Sequence, residues 1–118
     1  MKLYEFEGHK ILTKVGIESP FFVVINSIEE AEQARKRLKF PIAAKVQVLS
    51  GKRGLGGGIA FFASEKPLLT FIKKTLGSEF NGEGVAFISL AEKADITKES
   101  YISITYDTVS KLPILVFC

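Results

Sequence analysis

Residues 43–62 read AAKVQVLSGKRGLGGGIAFF. The run from Ile42 to Val48 is apolar but for Lys45 and Gln47, and Ile59 to Ala63 is apolar again, so both flanks are expected to be strands. Between them lie five glycines and two cations, Lys52 and Arg53. Glycines let backbone N–H groups approach a polyphosphate without side-chain obstruction, while lysine and arginine neutralise its charge, a combination suited to a nucleoside triphosphate. Two common phosphate motifs do not fit. The Walker A pattern needs lysine and then serine or threonine after its last glycine, whereas Ile59 follows Gly58; the dinucleotide fingerprint needs a helix to begin there, whereas Ile59 to Ala63 reads as extended. The segment therefore predicts a loop between two strands that lies over phosphates. Gly54 to Gly58 offer little side-chain surface to bury, which predicts a loop poorly anchored without ligand.

The charge distribution points the same way. The net charge over 118 residues is only +3, too small to announce a nucleic-acid or membrane partner. Yet Gln33 to Ser64 carries Arg35, Lys36, Arg37, Lys39, Lys45, Lys52 and Arg53 and no acid. Arg35 to Lys39 read as a solvated helix face; Lys45, Lys52 and Arg53 sit among apolar residues or glycines and suit an anionic ligand. The single cysteine, Cys118, has no partner for a disulfide or a metal site, and no apolar run is long enough to span a bilayer, so a reducing, cytoplasmic setting is expected.

Outward from the loop, the chain alternates helix and strand signals over one domain, residues 1–118. Tyr4, Ile11, Leu12 and Val15 recur at helical spacing with Gly16 as a stop. Phe21 to Ile25 suits a short buried strand. Ser27 and Glu30 have capping-box spacing ahead of Ile28, Ala31, Ala34 and Leu38, and Pro41 ends that segment. Ser64 is expected to cap a third helix whose buried face is Leu68, Phe71, Ile72 and Leu76, with Gly77 as its stop. NGEG, residues 81–84, reads as a turn, Val85 to Leu90 as a strand, and Tyr101 to Tyr106 as a strand joined through the turn Asp107–Lys111 to the apolar run LPILVFC. That run has no polar tail after it, which predicts a domain that continues beyond Cys118.

Four segments, in order, resemble the ATP-grasp domain of the succinyl-CoA synthetase β-subunit and ATP-citrate lyase family. MKLYEFEGHKILTKVGIESP is similar to its opening, an L-H-E-Y-like cluster leading into a helix that ends at glycine and a proline-containing turn. SIEEAEQARKRL resembles its second helix. AAKVQVLSGKRGLGGGI resembles V-V-K-x-Q-V-x-x-G-G-R-G-K-A-G-G-V, and ADITKESY resembles x-D-I-A-K-E-x-Y. The resemblance covers essentially the whole chain. It implies an α+β fold, the N-terminal part of an ATP-grasp domain: a mixed, mainly antiparallel sheet packed with about three helices.

For individual residues the resemblance implies that Lys45 contacts the α- and β-phosphates, that Lys52, Arg53 and Gly54 belong to the phosphate-covering loop, that Glu92 lies at the hinge beside the base, and that Glu99 binds the ribose hydroxyls. Physical chemistry agrees: a strand lysine presents a fixed point charge, an arginine can fork onto phosphate oxygens, and a carboxylate accepts both hydroxyls. Each has a plain structural counterpart, with Lys45 reaching solvent, Arg53 a turn residue and Glu99 paired with Lys98 or Lys93. Lys52 departs from the family's first glycine of G-G-R-G, and Leu55 and Gly56 stand where it has lysine and alanine. Ala91 competes with Glu92 for the hinge register.

The activity implied is joining a carboxylic acid to coenzyme A with ATP or GTP and Mg²⁺, through an acyl phosphate and a phosphohistidine on an α-type CoA-binding partner. Mg²⁺ ligands and catalytic groups are expected outside this chain, which alone is expected to be inactive. Citrate, succinate and malate ligases share this front segment, so it implies a class of acid rather than one acid. The runner-up is a non-catalytic binding or assembly module that keeps the fold. His9 reads as a surface histidine. KRGLGGGIAFF fails the RNP1 pattern, since Leu55 and Gly57 occupy the stacking positions. From sequence, no Ser-His-acid or Cys-His arrangement can be assembled.

Overall fold

The two strands flanking the glycine segment form an antiparallel pair, β2 (Ile42–Gln47) and β3 (Ile59–Phe62), with Lys45 opposite Ile59. The computed structural model describes all 118 residues. β1 (Phe22–Ile25) and β6 (Phe87–Glu92) complete a four-stranded sheet in the order β1-β6-β2-β3. Every pairing is antiparallel, so the sheet is not mixed as expected. β6 is inserted between β1 and β2, and β2 between β6 and β3. The connections through α2 (Ile28–Arg35) and α3 (Glu65–Thr75) are therefore two split β-α-β crossovers.

Strand alternation divides the sheet into two unlike faces. Ile42, Ala44, Val46, Ile88 and Leu90 point towards α2 and α3 and join Ala31, Ala34, Leu68 and Ile72 in one core. Full burial of each Ile or Leu there contributes roughly 1.5–3 kcal/mol. Lys45, Gln47 and Ser89 occupy alternate positions and face the other side, over which α1 (Glu5–Lys14) lies. Lys45 and the charged groups that meet it are on this second face.

Several sequence signals act as expected. Gly16 closes α1 at φ +83, a conformation that costs a side-chain-bearing residue about 1–2 kcal/mol. Ser27 Oγ accepts the Glu30 N–H at 3.2 Å, while the Glu30 carboxylate takes the N–H of Asn26 at 2.8 Å, one residue earlier than a reciprocal box requires. Ser64 occupies the cap position of α3, but its hydroxyl accepts no amide. Asn81 and Gly82, both left-handed, make the tight turn of a small hairpin between β4 (Glu79–Phe80) and β5 (Glu83–Gly84), elements too short to carry a strand signature.

Other expectations fail for identifiable reasons. β1 is an edge strand with only Ile25 buried, because nothing pairs with its outer side. α1 buries no residue fully, and Ile11, Leu12 and Val15 are exposed. Its inward contacts come from Tyr4 and Phe6, which stack at 5.6 Å and meet the Phe87 ring edge-on. The expected solvated face of α2 is only partly so, since Arg35 bridges to Glu65 of α3 at 2.8 Å and Arg37 lies over the Phe21 ring. β7 (Ile102–Tyr106) and β8 (Pro113–Phe117) form a separate hairpin with Ile104, Leu115 and Phe117 exposed. Its turn is held by Asp107, whose carboxylate accepts the Val109 and Ser110 N–H groups.

Candidate functional site

Lys45 sits at the one half-buried position of an otherwise buried strand, so its backbone is fixed while its ammonium projects beneath the start of α1. There it donates to Glu5 Oε1 at 3.1 Å. The other Glu5 oxygen accepts from the Arg53 guanidinium, and His9 Nε2 lies 3.3 Å from Oε1, one helical turn along α1. Half-burial by itself raises the Glu5 pKa, but the charges and hydrogen bonds of Lys45 and Arg53 outweigh it and hold the carboxyl at about 2. Glu5 is thus firmly ionised between two cations. Sequence reasoning missed it; the available signal was an acid in a first helical turn, carried by a chain whose central stretch has cations and no acid.

Gln47 fixes this arrangement from below. Its Oε1 accepts the N–H of Phe6 at 3.2 Å and its Nε2 donates to the Lys45 carbonyl at 3.1 Å, so one buried side-chain amide ties a free N-terminal N–H of α1 to β2. Arg53 is anchored twice, since a second guanidinium nitrogen donates to the Val46 carbonyl at 3.0 Å.

The loop itself is better tied than its glycines predict. The Glu83 carboxylate accepts the Leu49 and Ser50 N–H groups at 2.8 and 2.7 Å, and these bonds, Leu49's foremost, hold its pKa below the ordinary value. Gly58 N–H donates to the Arg53 carbonyl at 2.7 Å and Gly56 N–H to the Lys52 carbonyl at 3.2 Å. The Phe80 ring covers the loop's far end, so a Cβ at Gly56 or Gly58 would lie 2.8 or 2.9 Å from it, while one at Gly51 or Gly54 would meet open space. Two loop glycines therefore serve packing, whereas Gly51 and Gly54 leave open space over the backbone.

Two clefts flank Glu5. One of about 460 Å³ is lined by the loop, including Lys52, Arg53 and Gly54. A smaller one of about 100 Å³ is lined by Lys45, His9, Pro20, Phe22, Ser89 and Ala91. The largest cleft, about 570 Å³, lies elsewhere, between β1 and α2; its three glutamates and one arginine are the wrong charge for a polyphosphate.

Lys45, Lys52, Arg53 and Gly54 thus gather on one face, whereas Glu92 and Glu99 do not join them. β6 pairs Ser89 with Lys45, which puts Ala91 on the cleft side and turns Glu92 to the other, where its carboxylate accepts the Lys39 N–H at 2.8 Å. Glu99 is exposed between β6 and β7 and lines neither flanking cleft. His9 is not a surface residue: it is half-buried against Phe22, with Nδ1 2.7 Å from Ser19 Oγ. Ser19, His9 and Glu5 consequently form a Ser-His-acid row, which sequence reasoning excluded because the Gly16 turn that folds Ser19 back onto α1 is not a motif. Glu5 is already shared between Lys45 and Arg53 at the far end of that row.

No three histidine, cysteine or acidic side chains converge anywhere, so the residues present do not compose a magnesium site. No helix is long and apolar enough to cross a membrane.

A family model described as an ATP-grasp domain matches residues 2–118. The ADP-forming succinate–CoA ligase β subunit of Methanothermobacter thermautotrophicus is 37% identical over 115 residues, covering 98% of this chain and 31% of that protein. Those of Desulfurococcus amylolyticus and Rubrobacter xylanophilus are 36% and 35% identical over 94% and 99% of this chain and 30% of their own length. The chain thus spans about 30% of the length of these curated relatives. Among solved structures, phosphoribosylamine–glycine ligase from Thermotoga maritima superposes with a TM-score of 0.67 at 15% identity, over 97% of this chain and 27% of that one, a likeness of fold alone. Matched from Lys2 to its last residue, the chain belongs to the ATP-grasp domain family.

Proposed function

We propose that residues 1–118 form the phosphate-facing wall of a nucleotide cleft in an ATP- or GTP-using acid–CoA ligase of the succinyl-CoA synthetase type. The observation that carries the proposal is the convergence of Lys45 and Arg53 beside a glycine loop on the face away from the core. In this reading Lys45 takes the α- and β-phosphates as a point charge, Arg53 forks onto phosphate oxygens, and Lys52 and the Gly54 backbone close over them. The base contact belongs to the backbone around Ala91 and Glu92, since the Glu92 carboxylate already accepts the Lys39 amide. Glu99 is assigned to the ribose. Magnesium, held by ligands outside this chain, would supply neutralisation of phosphate charge when bound. Coenzyme A and the phosphohistidine are assigned to an α-type partner, and the setting to the cytoplasm.

An NMR titration with ATP, which reads weak binding, tests this. Lys45→Ala should weaken the affinity by on the order of 1.5–3 kcal/mol, roughly 10- to 150-fold, as expected for loss of a charge-assisted contact. Equal affinity in both proteins would sink the assignment.

One observation favours a second reading, a binding or assembly module without nucleotide: both cations are already paired internally by Glu5. Such a module would show no ATP-dependent shifts at Lys45 or Arg53.

A further inference from the structure

Glu5 is the single residue that lines both flanking clefts, the small one with Lys45 and the larger one with Arg53 and the loop. A polyphosphate extended from one cation to the other has to pass through the place that its carboxylate occupies. We propose that Glu5 is an internal occupant of the phosphate seat, a carboxylate that an incoming triphosphate displaces and that thereby sets the affinity of the cleft. This rests on the nucleotide reading above and goes beyond it by assigning a role to a residue that binds no nucleotide.

Three features distinguish an occupant from a scaffold. First, the cations do not depend on Glu5 for their positions: Lys45 is held by a strand paired on both sides, and Arg53 keeps its bond to the Val46 carbonyl. Second, α1 buries no residue fully and the Glu5 side chain is part-exposed, so the carboxylate can swing out of the cleft without moving the helix start that Gln47 ties to β2. Third, the charges favour exchange. Lys45, Arg53 and Glu5 sum to +1, and without Glu5 the pair presents +2 to an anion; His9, the other titratable group facing Glu5, adds charge only when protonated. All three ion-pair members keep some exposure, with side chains 20–33% accessible, so solvent and a ligand can reach them. A multiply charged phosphate offers both cations more acceptor oxygens than one carboxylate does.

The test is Glu5→Gln, which keeps the side-chain shape and removes the charge, titrated with inorganic triphosphate and with ATP beside the unaltered chain. The expected result is binding about tenfold tighter in the variant, with a steeper loss of affinity as salt rises, because the cleft gains one net positive charge. Unchanged or weaker binding by the variant, where the unaltered chain binds, overturns this inference and leaves the nucleotide cleft standing. No binding of either ligand by either protein overturns both. If Glu5→Gln does not fold, the side-chain carboxyl carbon-13 resonance of Glu5 in the unaltered chain decides: it should move as triphosphate saturates the protein, and a fixed resonance overturns the proposal.

Discussion

The carboxylate of Glu5 and the ammonium of Lys45 meet at 3.1 Å across 40 positions of sequence, with Arg53 closing on the second carboxylate oxygen. Because the Glu5 pKa falls from 4.5 to about 2 on folding, the unfolded chain binds the proton more readily than the folded one. The stabilisation is therefore present above about pH 4.5 and is lost as pH falls towards 2. By linkage alone it would be about 3 kcal/mol, and solvent screening of these part-exposed side chains makes it smaller. Denaturant unfolding of the chain and of Glu5→Gln at pH 7 and pH 3 should show a stability gap that narrows on acidification. A gap of constant size would mean that the ion pair is not its cause.

Glu83 anchors the entry to the glycine loop through the Leu49 and Ser50 amides. Those bonds favour the ionised form, so the carboxylate keeps accepting to lower pH than an ordinary glutamate would. Glu83→Ala should leave the core intact yet accelerate amide exchange at Leu49 and Ser50 well beyond that at Ile88 in β6. Hydrogen exchange read residue by residue checks this, and unaltered protection at Leu49 and Ser50 would show that the loop is held from its other end, under Phe80.

Much of this arrangement is legible in the sequence because it is local. The lysine in an apolar strand, the glycine loop, Ser27 and Gly16 act through neighbours within a few residues, where spacing is informative. What escapes is held by contacts at long separation: Glu5 to Lys45 and Arg53, Gln47 to Phe6, Glu83 to Leu49 and Ser50. Nothing periodic marks a carboxylate that pairs 40 or 48 residues away. Glu92 shows the converse. Once β6 is known to lie beside β2, alternation alone puts Ala91 in the cleft and Glu92 behind it, but that pairing joins non-consecutive strands and is invisible until the sheet order is known.

The chain alone should turn over no ATP and form no acyl-CoA. Phosphoryl transfer depends on a metal at the phosphates and on a positioned acceptor, and no three acidic, histidine or cysteine side chains of this chain come together to hold a metal. Incubation with ATP, Mg²⁺, coenzyme A and a panel of dicarboxylic and tricarboxylic acids should give no product above a protein-free control. Turnover that persists through purification and disappears in Lys45→Ala would contradict this.

The loop glycines separate packing from ligand approach. An added Cβ at Gly58 would lie 2.9 Å from the Phe80 ring and 3.1 Å from the Arg53 carbonyl, and the latter contact is to backbone that cannot swing away. Gly58→Ala should therefore disturb the Gly58–Arg53 hydrogen bond and lower stability by about 1–3 kcal/mol, the usual range for overpacking. At Gly54 a Cβ meets nothing within 4 Å, and the backbone there is not left-handed, so Gly54→Ala should fold as well as the parent chain. If phosphates approach that backbone, the new methyl group stands in their path. Gly54→Ala should then weaken ATP binding while leaving the unfolding midpoint in place, whereas Gly58→Ala moves the midpoint. Thermal unfolding and ATP titration on the two variants read these effects independently. Normal ATP affinity in Gly54→Ala would remove that residue from the phosphate contact, whatever Lys45 and Arg53 prove to do.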